Sequence, residues 1–263
     1  MKSRNNIEYI GFWTRVARII FNLVYSLMFP AGIVSFDNKI LAKVNQAAEE
    51  GVGTFIVFTH FSYRDPVELN RVLIFKNPVL KHREIVNPIA FHQHKFLSAL
   101  LLNAMHARGI PIVNQDTLNR KGYEHLKKGG GLTNFIEESV KVLSRGGIVT
   151  CAANAGRREK LDLEDKQRPV GYFVLAAQAK GLTDFGILLV SFALKDAHSY
   201  AKKDSGGMNF GRRYILTVAG YYDSQELLLQ PEVNGKAGNI DLFIRKKLAR
   251  VAPKEYLPKN YHD

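Results

Sequence analysis

The chain has 263 residues, of which 46% are hydrophobic, so it can bury a full core and suits one large α/β domain with an appendage. A formal net charge of +13 favours anionic partners, namely phosphorylated substrates, anionic lipid surfaces or nucleic acid. The single cysteine, Cys151, excludes an intrachain disulfide; in an apolar strand we interpret it as a buried small side chain rather than a nucleophile.

An apolar run near the N-terminus is the first informative stretch. Residues 19–34 are almost entirely apolar, follow Trp13 and two arginines, and are interrupted by Pro30. The run is short for a membrane span, and no cleavage site of the usual pattern indicates a removed signal peptide. We expect residues 1–50 to form a helical segment that lies in the membrane interface. A helix packed on the protein's own core and a true transmembrane helix are the alternatives.

A predicted strand at residues 53–59 ends at His60. Its composition, apolar with β-branched and aromatic residues, is typical of a buried strand in a parallel or mixed sheet. Asp65 then falls at the N-cap of a helix predicted over residues 66–75, with Pro66 at its first position. A turn between His60 and Asp65 lets both face the crevice at the carboxyl ends of the strands, where open α/β sheets bind ligands.

His60 and Asp65 together form a candidate general base. A carboxylate that orients a histidine fixes its tautomer and stabilises the imidazolium, so the ring can take a proton from a substrate hydroxyl near neutral pH. The pair would then supply two members of a catalytic triad, and the substrate would supply the nucleophile. The alternative is structural, because a chain with eight histidines can hold such a spacing by accident and helix capping is a sufficient role for Asp65.

Strands and helices alternate through the rest of the chain. Further strands are predicted at 84–91, 108–113, 147–151, 185–194 and 213–219, and helices at 38–50, 94–107, 132–145, 173–180 and 239–251. This alternation predicts an α/β fold over residues 51–263, with a mixed, largely parallel sheet flanked by helices.

Two groups of basic residues are candidates for binding anions. Arg157 and Arg158 follow the strand at 147–151, and in a parallel sheet they would share an edge with His60, where two guanidiniums can hold a phosphate. A solvated charged loop is the alternative. In the last helix, Arg245 and its basic neighbours are expected opposite the apolar side, facing either anionic headgroups or solvent.

The segment THFSYRDP, residues 59–66, resembles the His-x4-Asp block of the glycerolipid acyltransferases, the family of glycerol-3-phosphate and 1-acylglycerol-3-phosphate acyltransferases. RGIPIV at 108–113 resembles the second family block, ANAGRREK at 153–160 the third, and GILLVSFAL at 186–194 the fourth. The blocks stand in the family's order, and the resemblance covers residues 53–194.

Two blocks depart from the family pattern. The arginine that usually closes the second block falls here on Asn114 or Gln115, and residues 154–156 read Asn-Ala-Gly where the family usually has Pro-Glu-Gly. The run at 156–158, Gly-Arg-Arg, is closer to the Gly-Gly-Arg variant of some glycerol-3-phosphate acyltransferases.

The resemblance implies a phospholipid-biosynthesis O-acyltransferase that moves a fatty acyl group from acyl-CoA or acyl-ACP to a hydroxyl of glycerol-3-phosphate or 1-acylglycerol-3-phosphate. It implies His60 as the base, Asp65 as its orienting carboxylate, and a substrate-binding set of Asn114, Gly156, Arg157 and Arg158. Anionic membrane lipids are the expected partners and the cytoplasmic face of the membrane the expected location, as a peripheral or monotopic protein. No metal, cofactor or nucleic acid is expected. The two departures motivate an alternative, a catalytically impaired acyltransferase-fold protein that binds anionic membranes.

Overall fold

The computed structural model describes residues 16, 19–20, 23–27, 29–62, 64–90, 107–112, 131–154, 160–195, 211–259 and 261. Within them, seven strands form one sheet: β1 (Ile33–Ser35), β2 (Gly53–Phe58), β3 (Ile85–Ala90), β4 (Ala107–Ile112), β5 (Ile148–Ala152), β6 (Phe185–Leu194) and β7 (Tyr214–Asp223). Their spatial order is β1-β7-β6-β2-β5-β3-β4.

The helices of the described residues are α1 (Asn38–Glu49), α2 (Asp65–Glu68), α3 (Gly131–Ser144), α4 (Pro169–Ala179), α5 (Ser224–Leu228) and α6 (Ala237–Ala249). A π-helix, Leu69–Ile74, continues α2, and two 3-10 turns span Leu80–His82 and Lys254–Tyr256. Residues 23–27 of the N-terminal segment are also helical.

The sheet is mixed and mostly parallel, as the alternation of elements predicts. Strands β6, β2, β5, β3 and β4 run in one direction, whereas β7 is antiparallel to β6 and β1 is parallel to β7. All six residues of β2 and all ten of β6 are buried, which explains why their sequences are continuously apolar rather than alternating.

Helices cover the sheet through an aromatic cluster. The Phe173 ring of α4 lies 4.3 Å from the ring of Phe55 in β2 and 5.9 Å from that of Phe135 in α3, measured between centroids. Phe185, at the start of β6, meets the same Phe173 ring edge-on at 6.5 Å. Offset and edge-on aromatic contacts of this kind add to the stabilisation from burial alone, so they hold α3 and α4 firmly on the sheet.

The helix predicted over residues 66–75 is present but irregular. It begins as α2 and changes at Leu69 to a π-helix, and the bond from Phe75 N–H to Asn70 O at 2.8 Å closes the wider turn. Local propensity gives no signal for such a widening, and π-turns occur frequently at functional sites.

The prediction for Arg245 is wrong. Its side chain is 1% exposed and donates to the backbone oxygens of Ala153 at 3.1 Å, Asp165 at 2.8 Å and Gln167 at 2.7 Å. The sequence places it among basic neighbours on the polar side of α6, but Ala153, Asp165 and Gln167 lie against that side and each supplies a carbonyl. Arg245 therefore ties α6 to the end of β5 and to Asp165 and Gln167.

Candidate active site

The carboxyl ends of β2 and β5 lie next to each other. The two strands are parallel neighbours with Phe58 opposite Ala152, and the Ala153 amide donates to the Phe58 oxygen at 2.8 Å. The residues that follow the two strands therefore leave the sheet at the same edge, which confirms that the third sequence block starts beside His60.

Thr59 fixes the end of the His60 strand. Its amide donates to Val190 O at 3.1 Å, and its hydroxyl Oγ1 accepts from the Phe192 amide at 2.8 Å, so the chain stays attached to β6 up to the last residue before His60. The His60 side chain is 18% exposed, and its ring packs against the edge of Phe58 at a centroid distance of 5.7 Å. The imidazole is thus held on one side and accessible on another.

Asp65 is fully buried and its carboxylate turns back towards the end of β2. Oδ2 accepts the amide of Phe61 at 2.5 Å and that of Ser62 at 2.7 Å, and it lies 3.4 Å from Nδ1 of His60. The predicted N-cap role is wrong, because the N-cap residue is Arg64, which makes no side-chain capping bond. Three donors that precede Asp65 in sequence converge on one oxygen, and that convergence draws the carboxylate away from the helix amides.

This geometry sets the tautomer of His60. An ionised carboxylate only accepts hydrogen bonds, so Nδ1 must carry the proton that faces Asp65, and Nε2 is left as the nitrogen that can accept a proton. The ring can therefore act as a base through Nε2, while Asp65 stabilises the imidazolium that results.

Tyr256 braces the turn between His60 and Asp65. Its ring lies 4.8 Å from that of Phe61, and its hydroxyl accepts the Leu194 amide at 3.1 Å. Burial raises the pKa of Tyr256, and the Asp65 carboxylate adds to the effect, so the phenol stays neutral. Sequence reasoning missed this residue, since a tyrosine near the C-terminus carries no local sign of contact with residue 61.

The proposed phosphate-binding residues Asn114, Gly156, Arg157 and Arg158 lie outside the described residues. Their flanks are described. Asn154 donates from Nδ2 to Asp162 O at 2.8 Å and to Asp165 Oδ2 at 3.2 Å, and it accepts the Asp162 amide at 3.3 Å. Asn154 thus joins the end of β5 to Asp162 and Asp165.

The second sequence block is farther from His60. It forms β4, which is separated from β2 by β5 and β3, so the two strand axes are about 14 Å apart at the usual strand spacing. Both strands end at the same edge of the sheet.

Cys151 lies in β5 with 8% of its surface exposed, as the sequence predicts for a small buried side chain. Burial, with a smaller contribution from Asp241, raises the pKa of its thiol to about 12. The thiolate that a nucleophile requires is therefore scarce near neutral pH.

The N-terminal segment meets the same edge of the sheet as His60. Ile33, the first residue of β1, pairs with Ile215 near the start of β7, next to the end of β6. In the segment before it, Tyr25 and Phe29 are buried, whereas five apolar side chains are 51–82% exposed: Ile19, Ile20, Leu23, Val24 and Leu27. Among the described residues, no helix is long and apolar enough to cross a bilayer.

Fold and geometry together define a mixed α/β domain with a histidine–carboxylate pair at the carboxyl edge of its parallel strands. A scan against protein-family models and a search of curated proteins both give no match. Among solved structures, the chain is similar to the crystal structure of the 1-acyl-sn-glycerophosphate (LPA) acyltransferase PlsC from Thermotoga maritima, with a TM-score of 0.48 and 9% sequence identity. The similarity covers 90% of this chain and 79% of that chain.

Proposed function

We propose that this protein is an O-acyltransferase of phospholipid biosynthesis, which transfers a fatty acyl group from acyl-CoA or acyl-ACP to a hydroxyl of glycerol-3-phosphate or 1-acylglycerol-3-phosphate. The observation that carries the proposal is the approach of His60 Nδ1 to the buried Asp65 Oδ2, 3.4 Å apart, at the carboxyl edge of the sheet. A base of this kind suits the deprotonation of an alcohol.

In the proposed reaction, Nε2 of His60 accepts the hydroxyl proton while the substrate oxygen bonds to the thioester carbonyl carbon. The tetrahedral oxyanion that forms then collapses, the carbon–sulfur bond breaks, and the imidazolium returns the proton to the departing thiolate. Asp65 holds the ring and offsets its positive charge between the two steps. Backbone or side-chain donors near the carbonyl must stabilise the oxyanion.

We propose that Arg157 and Arg158, with Gly156, bind the acceptor phosphate, and that Asn114 contributes from the end of the second block. Adjacency of the β2 and β5 carboxyl ends supports this arrangement, since residues after Ala152 start one strand away from His60. Two guanidiniums provide planar, paired donors that match phosphate oxygens.

We further propose that residues 1–50 form the membrane-associating part and residues 51–263 the acyltransferase domain, located peripherally or monotopically on the cytoplasmic face. Support comes from the five exposed apolar residues between Ile19 and Leu27 and from the entry of this segment at the His60 edge of the sheet. An acceptor or donor with a fatty chain would then reach the base from the membrane interface.

The test measures thiol release from palmitoyl-CoA by the purified full chain, with glycerol-3-phosphate and 1-acylglycerol-3-phosphate supplied in turn. Acceptor-dependent release is expected from the wild type, and its loss is expected in His60→Gln. His82→Gln is the matched control, because His82 lies in the 3-10 turn just before β3 and so at the opposite edge of the sheet from His60. Full activity in His60→Gln would refute the mechanism.

A chain that binds anionic vesicles but releases no thiol with either acceptor, from palmitoyl-CoA or palmitoyl-ACP, would instead support the catalytically impaired membrane-binding protein. Salt-sensitive binding to vesicles, without binding to RNA, would exclude a nucleic-acid-binding role and leave the acyltransferase and the impaired membrane-binding protein as the two candidates.

A further inference from the structure

A buried cluster of charged and aromatic side chains joins the N-terminal segment to the helix that begins at Asp65. At its centre is Arg64, which is 0% exposed. Its Nη2 donates to Glu68 Oε1 at 2.8 Å, its Nε to the Tyr25 hydroxyl at 3.1 Å, and its Nη1 to Arg212 O at 3.4 Å. We call Arg64, Glu68, Arg71, Tyr25 and Phe29 the Arg64 cluster.

Aromatic rings cover the Arg64 guanidinium. Its central carbon lies 4.1 Å from the ring centroid of Phe29 and 4.7 Å from that of Tyr214. A desolvated guanidinium is stabilised by ring faces at this distance, so Phe29 and Tyr214 replace part of the water that the cation has lost.

Arg71 makes the second connection to the N-terminal segment. Its Nη2 donates to Ser26 Oγ at 2.6 Å and its Nη1 to Phe29 O at 3.2 Å. The same Nη1 lies 3.6 Å from Glu68 Oε1, so two buried arginines share one carboxylate. Tyr25, Ser26 and Phe29 add polar and aromatic contacts that further stabilise the two buried cations.

The position of the N-terminal segment and the position of α2 therefore depend on each other. If Tyr25, Ser26 and Phe29 moved away, Arg64 and Arg71 would lose hydrogen bonds and ring contacts that a buried cation needs. The helix start would have to shift to give these side chains access to water.

The catalytic turn lies directly beside this cluster. The Arg64 amide donates to Ser62 Oγ at 3.1 Å, and the Ser62 amide donates to Asp65 Oδ2 at 2.7 Å, the oxygen that faces His60. A displacement of the Arg64 backbone would therefore move Asp65, and with it the turn whose amides bind the Asp65 carboxylate.

We propose that Arg64 is a positioning residue that makes the geometry of His60 and Asp65 depend on the placement of Tyr25, Ser26 and Phe29. It touches neither substrate nor the reacting atoms and acts through the adjacent Asp65. The inference rests on the proposed function for its kinetic consequence, but the geometric dependence can be measured without it.

The kinetic test compares Arg64→Lys and Tyr25→Phe with Arg83→Lys. A lysine keeps the charge of Arg64 but cannot supply the same three-way set of donors, and Tyr25→Phe removes one acceptor while it keeps the ring. Arg83 is a matched control: it is 4% exposed and donates to the backbone oxygens of Val52, Gly146 and Ala48, at the opposite end of β2 from His60.

Arg64→Lys is expected to lower kcat about 10- to 100-fold with KM for acyl-CoA little changed, because misplacement of catalytic groups by about 1 Å costs rate at this scale. Tyr25→Phe should lower kcat in the same direction by a smaller factor. Arg83→Lys should lower the thermal midpoint and leave kcat at the wild-type value.

A second readout is the imidazole ¹⁵N spectrum of His60, assigned by comparison with His60→Gln. The wild type should show the Nδ1–H tautomer, Arg64→Lys and Tyr25→Phe should move towards a mixture of tautomers, and Arg83→Lys should match the wild type. Arg64→Lys with wild-type kcat and wild-type His60 signals would overturn the inference, as would equal effects of Arg83→Lys. If wild-type protein releases no thiol, the proposed function fails, and the spectra still decide the role of Arg64.

Discussion

His60 Nδ1 and Asp65 Oδ2 lie 3.4 Å apart across a turn whose own amides bind the same carboxylate oxygen. Asp65 thus fixes the turn and orients the ring with one oxygen. The other oxygen, Oδ1, is buried and makes no hydrogen bond with the part of the chain that the structure describes. A single carboxylate therefore connects local folding with the proposed chemistry.

Asp65→Asn should lower kcat about 100-fold or more, because the neutral amide no longer stabilises the imidazolium or enforces the Nδ1–H tautomer. Acceptor-dependent thiol release measures the effect. Asp223→Asn is the control: Asp223 caps α5 by accepting the amides of Gln225 and Glu226, and asparagine caps a helix equally well. Equal activity of the two variants would contradict the role of Asp65.

The buried thiol of Cys151, with its pKa raised to about 12, should not react with a thiol reagent in the native protein at pH 8. One thiol per chain should become reactive in guanidinium chloride, which a spectrophotometric titration would show. Rapid reaction of the native protein with one equivalent would contradict the burial of β5. An unreactive native thiol also means that thiol release measured in the acyltransferase test comes from the donor.

Replacement of the buried Arg245 by leucine should lower the free energy of unfolding by about 3 kcal/mol or more, since it removes the guanidinium that faces the buried Asp241 and three hydrogen bonds to backbone oxygens. Urea unfolding measures the change. Lys246→Leu, at an exposed position one residue further along α6, should change stability by no more than about 0.5 kcal/mol. Similar values for the two variants would show that Arg245 is not a structural tie.

Leu27→Glu should weaken binding to phosphatidylglycerol vesicles about tenfold or more, because it replaces apolar surface that the proposed membrane contact would bury. Leu229→Glu is a matched control, since both leucines are 82% exposed and both substitutions change the net charge equally. Leu229 follows α5, beyond the end of β7 and so at the opposite edge of the sheet from His60. Vesicle sedimentation should separate the two variants; equal binding would argue against the N-terminal contact.

The sequence predicts the features that depend on short stretches of chain. Continuous apolar composition is sufficient to predict β2 and β6 as buried strands, and the end of β2 then predicts the place of His60. The direction of the Asp65 carboxylate could not be predicted in this way, because a residue that caps a helix and one that turns back to the preceding loop have the same local sequence pattern.

The buried arginines show a second limit. Arginine is usually exposed, and partners that are distant in sequence make the burial of Arg64 and Arg245 favourable. Arg64 binds Tyr25, which is 39 positions away, and Arg212, which is 148 positions away. Arg245 binds Ala153, which is 92 positions away. No window of local sequence contains such pairs. The same holds for Tyr256, whose contact with Phe61 depends on the folded sheet.

The two-sided character of the N-terminal helix has a practical consequence for protein production. Deletion of the apolar N-terminal segment would also remove Tyr25, Ser26 and Phe29, which contact the buried side chains of Arg64 and Arg71. A shortened chain should therefore be inactive or aggregate on expression. Polar replacements confined to the outward leucines would improve handling while Tyr25 and Phe29 stay in place.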